Sequence, residues 1–410
     1  MKKFRVLCLL GLSLCFTACN KEPKSTDSDE EVYVSKLPNY GNVKLKKVFT
    51  NQDSKLENRA AIVSDIQAYY DKVWEKGNLS GGILVAKGND ILFEAYRGFG
   101  REGQTMPITK DVALHVASVS KPITAMAVMK LVEAGKVQLN QSLATIFPKF
   151  PYPEVTVEML LKQRSGLPKY ENFLHNTELA KQTFVTNQQI LDYIIQHKPG
   201  LARNPDTGFM YCNTNYALLA LVVEKVTQTP FPEAMQEMVF KPLKMKNTYI
   251  FQEKDIPTAS QSFLNMGKKP HPLDYLDLVY GDKNVYTTPR DLYNFSKALY
   301  SKDFLKPELM KLVFEPYCNE KPGVNNYGIG FRMKLFNNGT KLTYHNGWWH
   351  GSNSVFGHLL DSKVTIVAIG NAYSPRVYTA LALSGLFENF PPEKEILTKV
   401  MRNQNLSISE

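Results

Sequence analysis

Apolar residues at Ile62, Ile66, Tyr69, Tyr70, Val73 and Trp74 recur at the spacing of one helix face, and Gly77 closes the pattern. The spacing predicts a helix over 62–75. Two strand-like runs follow, Gly82–Lys87 and Ile91–Tyr96, joined by Gly88-Asn89-Asp90, which reads as a β-hairpin. Residues 119–134 then predict a helix with Pro122 in its first turn and Gly135 just past its end. That helix is apolar nearly all round, the pattern of an element buried on most sides. From there to about residue 270 the period is mainly helical, broken by proline- and glycine-rich loops. Strand patterns return at Tyr327–Leu335, Lys341–His345, Ser354–Leu360 and Val364–Ile369, and a final helix is expected over Val377–Phe387 before Pro391-Pro392. Residues 32–59 are ambiguous, with Val43–Phe49 compatible with a strand, and residues 391–410 read as a C-terminal tail. This order predicts an α+β fold: an antiparallel sheet flanked by N- and C-terminal helices, with an inserted, mainly helical lobe at about 119–270.

Composition adds few constraints. The chain has 410 residues, 43% hydrophobic and 21% charged, enough for one large domain or two lobes around a substantial core. Its formal charge is +10, and Lys2, Lys3 and Arg5 supply three of these in a segment expected to be removed, leaving +7. The lysines are scattered without a basic block or a recognition motif, so a solvated basic surface is expected and no nucleic-acid partner. Lys2, Lys3 and Arg5, the apolar run Val6–Thr17 and the small pair Thr17-Ala18 have the form of an export signal, too short for a comfortable membrane span. Phe16-Thr17-Ala18-Cys19 resembles a bacterial lipobox, although Phe16 departs from the usual leucine. The resemblance implies a signal peptide over 1–18, lipidation of Cys19, a tether over 19–59 and a membrane-anchored domain over 60–390. Asn20 after the cysteine resembles an outer-membrane sorting signal, which implies a domain facing the periplasm or the cell surface. Of the remaining cysteines, Cys212 and Cys318 have no spacing that demands a disulfide, and no CxxC, HxH or HExxH pattern supports a metal site.

Chemistry concentrates in three short segments. Ser118-Val119-Ser120-Lys121 sits where a strand-like stretch turns into the apolar helix. A serine and a lysine three residues apart at a helix start share one face, so the lysine can reach the serine oxygen. The helix N-terminus also favours negative charge on that oxygen. Tyr211-Cys212-Asn213 comes next; tyrosine-x-asparagine recurs elsewhere, at Tyr40, Tyr170 and Tyr344 among other places, but only the Tyr211 copy leads directly into an apolar helix. Asn213 there is either a site residue or a helix cap. The third segment is His345-Asn346-Gly347-Trp348, at the end of a strand-like run, with a glycine that permits close backbone approach.

The ordered set SxxK, YxN and HxG resembles the serine beta-lactamase and penicillin-binding protein superfamily, in its class C-type branch. Leu114–Ser118, Leu160–Pro168, Tyr211–Leu219 and Tyr286–Leu292 carry similar flanking text in the same order. Within the last of these, Arg290 and Asp291 resemble a helix-start pair. The resemblance implies that Ser118 attacks a carbonyl to form an acyl-enzyme, and that Lys121 and Tyr211 share the proton transfers, a cation beside the phenol favouring its use as a base. It implies an oxyanion hole from the Ser118 and Trp348 N–H groups beside Gly347, each donor worth about 3–4 kcal/mol of barrier. Asn213 is expected to orient Lys121 or the substrate amide, and His345 to hydrogen-bond within the dyad or help hold a substrate carboxylate. Trp348 and Trp349 either line an acyl pocket or pack. Two departures stand out: His345 replaces the lysine of class C beta-lactamases, with bulky Trp348 after the glycine, and Gln163 replaces a common histidine. Histidine at that position is similar to related D-peptidases and esterases. The implied function is a serine hydrolase without cofactor, most simply a D-stereospecific peptidase, carboxypeptidase or esterase acting on small peptides or esters. The alternatives are a beta-lactamase or a non-catalytic penicillin-binding sensor. An α/β-hydrolase is excluded, since no Gly-x-Ser-x-Gly elbow is present.

Overall fold

The helical spacing near the start folds as α1 (Arg59–Tyr70), continued by a wider turn over Asp71–Glu75, and buries Ile66, Tyr69, Val73 and Trp74. The computed structural model describes residues 43–264 and 269–402; the expected signal peptide, Cys19 and the polar stretch after it lie outside them. The hairpin follows as β1 (Gly81–Lys87) and β2 (Asp90–Arg97). A short turn, Ala117–Val119, leads into α2 (Ser120–Glu133), whose residues from Ser120 to Leu131 are all buried, as its all-round apolar pattern requires. The helical lobe includes α3 (Tyr170–Leu174) and α4 (Asn213–Thr227), and α5 (Pro289–Ala298) follows it. The late strands are β3 (Asn325–Tyr327), β4 (Arg332–Leu335), β5 (Lys341–Trp349), β6 (Ser352–Leu359) and β7 (Val364–Gly370).

These strands form an antiparallel sheet in the order β2-β1-β7-β6-β5-β4-β3, so the N-terminal hairpin joins the last strand, with Gly81 opposite Gly370. One face packs against α1 and the two C-terminal helical segments, Pro375–Leu386 and α6 (Pro391–Met401). The other face packs against α2 and the helical lobe. With both faces covered, β7 is buried along its whole length and reads as a continuous apolar run rather than an alternating one. A small second sheet, Leu114–His115, Val285–Thr287 and Tyr249–Ile250, ties the segment entering Ser118 to the one leaving Asp282.

Four local expectations change. Val43–Phe49 forms a short 3-10 turn at Leu45–Lys47, because Val43, Leu45 and Phe49 are buried singly instead of pairing as a strand. The run Tyr327–Leu335 breaks into β3 and β4 where Gly330 turns against the start of α2. Its φ is 80°, and a Cβ there would come within 2.7 Å of Ala125 Cβ and 3.1 Å of the Pro122 Cα. The predicted helix at 377–387 is a 3-10 segment, Pro375–Leu386. Residues 391–401 are no tail but helix α6, held to the domain by buried Val400 and by Glu393, which accepts from Lys334 Nζ at 2.6 Å.

Candidate active site

The chain reaches Ser118 through a strained corner. Ala117 adopts φ 47°, a left-handed conformation that costs a non-glycine residue about 1–3 kcal/mol and persists only where its surroundings fix it. Here Val116 is fixed on both sides: its N–H donates to Val285 O at 3.1 Å and its carbonyl accepts from Ser354 Oγ at 2.6 Å. The corner leaves Ser118 partly exposed, one turn before Lys121.

Lys121 is fully buried, yet its ammonium is completely partnered. Its Nζ donates to Ser118 Oγ at 3.0 Å, to Asn213 Oδ1 at 2.7 Å and to the Asp282 carbonyl at 2.8 Å. Asn213 opens α4 without capping it. Its Nδ2 donates to Glu171, and because a carboxylate only accepts, the amide cannot flip away from Lys121. Gln163 secures the same segment from behind: its Oε1 accepts from Cys212 N at 3.0 Å and from Asn215 Nδ2 at 2.6 Å. Cys212 is buried and free, its thiol pushed up to about 11 by burial.

Tyr211 faces this group and is flanked by two cations, Lys121 Nζ and Arg332 Cζ, each 4.9 Å from its ring centroid. His345 lies beneath, with its ring centroid 6.2 Å from that of Tyr211. It is fully buried, and burial together with the Arg332 and Lys121 charges holds its pKa well below the usual histidine range. The imidazole is therefore neutral. Its Nδ1 donates to the Asn346 carbonyl at 2.7 Å, leaving Nε2 as an acceptor 3.5 Å from the Tyr327 hydroxyl.

Gly347 lies against the nucleophile's own backbone. A Cβ there would stand 2.2 Å from the Val116 carbonyl and 3.1 Å from Ser118 N, so only glycine lets β5 approach this closely. Register makes the adjoining stretch open. β4 pairs with β5 only from Leu335↔Lys341 to Arg332↔Tyr344, whereas β6 pairs as far as Trp349↔Ser352. On the β4 side, His345–Trp349 has no strand partner among the described residues, and this free edge runs past Ser118. The two tryptophans have different environments. Trp349 donates from Nε1 to Asp277 Oδ1 at 2.6 Å, beside the His350–Asp277 contact at 2.9 Å, and is covered by Lys283. Trp348 is 52% exposed.

The structure thus brings Ser118, Lys121, Tyr211, Asn213, His345 and Gly347 into one cluster, with Trp348 at its rim, while Cys19 lies outside the described residues. Sequence reasoning missed Glu171, Arg332 and the Asp282 carbonyl. Glu171 and Arg332 carry no motif of their own, and the role of a carbonyl has no sequence signal at all. Arg332 is the most consequential of the three. Its Nε and the Asn346 Oδ1 are buried without hydrogen-bond partners among the described residues. Both residues line a cleft of about 520 Å³ that Phe209, Asn326 and Tyr327 also line.

A buried ammonium on a serine oxygen, a phenol between two cations and an open strand edge form an arrangement suited to acyl transfer on an extended substrate. Residues 64–383 match the beta-lactamase family, and the chain belongs to that family. It is a serine hydrolase of the beta-lactamase fold. Among its relatives, penicillin-binding protein 4* of Bacillus subtilis (strain 168) is 26% identical over 322 residues, covering 75% of this chain and 71% of the relative. The fold is similar to that of a penicillin-binding protein from Bacillus halodurans, with TM-score 0.67 and 24% identity over 81% of this chain and 100% of the other. It is also similar to D-amino acid amidase from Ochrobactrum anthropi SV3, with TM-score 0.65 and 21% identity over 84% and 99% of the two chains.

Proposed function

We propose that this chain is a D-stereospecific peptidase that forms an acyl-enzyme on Ser118 and selects substrates by their C-terminal carboxylate. The observation that carries the reading is the Lys121 ammonium, held on Ser118 Oγ at 3.0 Å by two fixed acceptors, Asn213 and the Asp282 carbonyl. Ser118 Oγ attacks the scissile carbonyl carbon, and its proton passes through Lys121 and Tyr211 to the leaving nitrogen as the C–N bond breaks. The Ser118 and Trp348 N–H groups receive the oxyanion. Water then hydrolyses the ester, with the same pair returning the proton to Ser118. The D-amino acid amidase and penicillin-binding protein likenesses support D-configured amides as the substrate class. The lipobox at Cys19 supports an exported, anchored enzyme.

Neutral His345, its one donor held by Asn346, is unsuited to a carboxylate, which leaves that role to Arg332. An unpaired guanidinium N–H and an unpaired amide oxygen on two residues that line one cleft complement a ligand carrying both a carboxylate and an N–H. Arg332→Ala is expected to raise KM for a D-Ala-D-Ala peptide about ten- to a hundredfold, the worth of a charge-assisted hydrogen bond. The ratio between this peptide and its C-terminal amide should collapse; a ratio unchanged from wild type would remove Arg332 from substrate selection.

The reading as a whole is tested by treating the protein with a fluorophosphonate and with a fluorescent penicillin, then locating the adduct by mass spectrometry. The adduct is expected on the Ser118 peptide, with D-peptide hydrolysis exceeding that of the L-isomer and of nitrocefin. Absence of a Ser118 adduct rejects the catalytic reading, and dominant nitrocefin turnover makes the chain a beta-lactamase.

A further inference from the structure

Six large hydrophobic side chains are exposed among the described residues, and four of them, Phe99, Leu264, Trp348 and Tyr373, sit on segments stitched together around the turn that ends β5, where Phe263 lies against Gly351. Asn371 Nδ2 donates to the Phe99 carbonyl at 2.9 Å, Phe263 N to Asn371 O at 2.7 Å, and Tyr373 N to Phe263 O at 3.2 Å. The Trp348 and Tyr373 rings meet edge to face, with centroids 6.3 Å apart, while each residue stays 52% and 42% exposed respectively. The indole is also oriented, since its Nε1 donates to the His350 carbonyl at 3.1 Å. An oriented, half-bare aromatic pair that begins one residue past Gly347, the residue abutting Ser118 N, is apolar surface held ready for a ligand.

The direction of β5 says which part of a substrate reaches it. Arg332 stands opposite Tyr344, Gly347 abuts Ser118 N, and Trp348 lies beyond. A substrate laid along this edge with its carbonyl at Ser118 and its carboxylate at Arg332 has its leaving group toward Tyr344. Its acyl portion therefore runs toward Trp348.

Building on the carboxylate-directed peptidase reading, we infer that Trp348 and Tyr373 form an acyl-side subsite that selects an aromatic or large apolar side chain on the residue donating the scissile carbonyl. The contact adds buried apolar area and ring stacking, and the expected preference for D-Phe-D-Ala over D-Ala-D-Ala is roughly ten- to a hundredfold in kcat/KM. Trp349, engaged with Asp277 and Lys283, takes no part.

The test measures kcat/KM for both dipeptides with wild type, Tyr373→Ala and Trp348→Leu, alongside the rate of Ser118 labelling by a fluorophosphonate and retention on phosphatidylethanolamine/phosphatidylglycerol vesicles. Wild type should prefer D-Phe-D-Ala, both variants should lose that preference at least tenfold, and Tyr373→Ala, which touches no oxyanion donor, should still label at Ser118 at the wild-type rate. Equal loss on both dipeptides, or no preference in wild type, overturns the subsite. Variants that keep the preference but release from vesicles also overturn it, assigning the patch to a membrane surface. Failure of wild type to label at Ser118 is a different result, since it rejects the underlying acyl-enzyme reading.

Discussion

Replacing Lys121 with methionine is expected to slow acylation of Ser118 by about 10²–10⁴-fold, the usual worth of a positioned proton-transfer group. The side chain is fully buried, and each of its three N–H donors is committed, to Ser118 Oγ, Asn213 Oδ1 and the Asp282 carbonyl. Methionine fills a similar volume but supplies no donor, so Ser118 loses the charged neighbour within hydrogen-bond reach. Asn213 and Asp282 are then left with unpaired acceptors, at a stability cost of about 1–3 kcal/mol for each that stays buried. Rate and stability must therefore be read separately. Rapid-quench acylation by fluorescent penicillin gives the first, and urea unfolding the second. A K121M protein that stays folded and acylates within tenfold of wild type rules Lys121 out as the proton partner.

Lys283→Met should produce the largest loss of stability, about 3–5 kcal/mol, because it breaks a buried ion pair from one side. Asp282 and Lys283 are 0% and 2% exposed. Lys283 Nζ donates to Tyr170 Oη at 2.5 Å and lies 3.4 Å from Asp282 Oδ2, which also accepts from Tyr170 at 2.7 Å. Burial and the Asp282 charge hold the Tyr170 pKa well above the usual range, so the phenol keeps its proton and remains a donor. Without Lys283 the carboxylate keeps its desolvation penalty and loses its cation, while Asp282 Oδ1 already has no partner among the described residues. The double variant Asp282→Asn/Lys283→Met should recover most of the loss. Denaturant midpoints for the three proteins decide the matter; a K283M protein within 1 kcal/mol of wild type would falsify the ion-pair account. Activity should fall as well, since the Asp282 carbonyl holds Lys121 and Tyr170 directly precedes Glu171, the partner of Asn213.

Much of this was legible in the chain because it is local. Ser118 and Lys121 share a helix turn, the hairpin at 81–97 is joined by Gly88-Asn89, and α2 shows its burial in its own composition. Asn213, a site residue or a cap by sequence, accepts from Lys121 Nζ and does not cap α4. Cys212 N and Asn215 explain why Gln163 occupies its position, which spacing left open. What stayed hidden depends on register and on distant segments. Arg332 reaches Tyr211 only because β4 ends opposite Tyr344, and Glu171 meets Asn213 across 42 residues of chain. The break at Gly330 exists to clear Ala125 and Pro122, atoms no strand pattern could anticipate. The sequence leaves His345 either bonding within the dyad or helping to hold a carboxylate, whereas its neutrality comes from burial and two cations brought in by other elements.

The early end of β4 also limits what the enzyme can harm. Five residues of bare edge, His345–Trp349, span about 16 Å at the rise of a strand, and they engage only a partner that is itself fully extended. Helices and the paired interiors of folded domains present no such partner, because their backbone groups are already occupied. Short, loose chains fit such an edge, and folded proteins do not. The shape of the sheet supplies that restraint, with no inhibitor or proenzyme segment required.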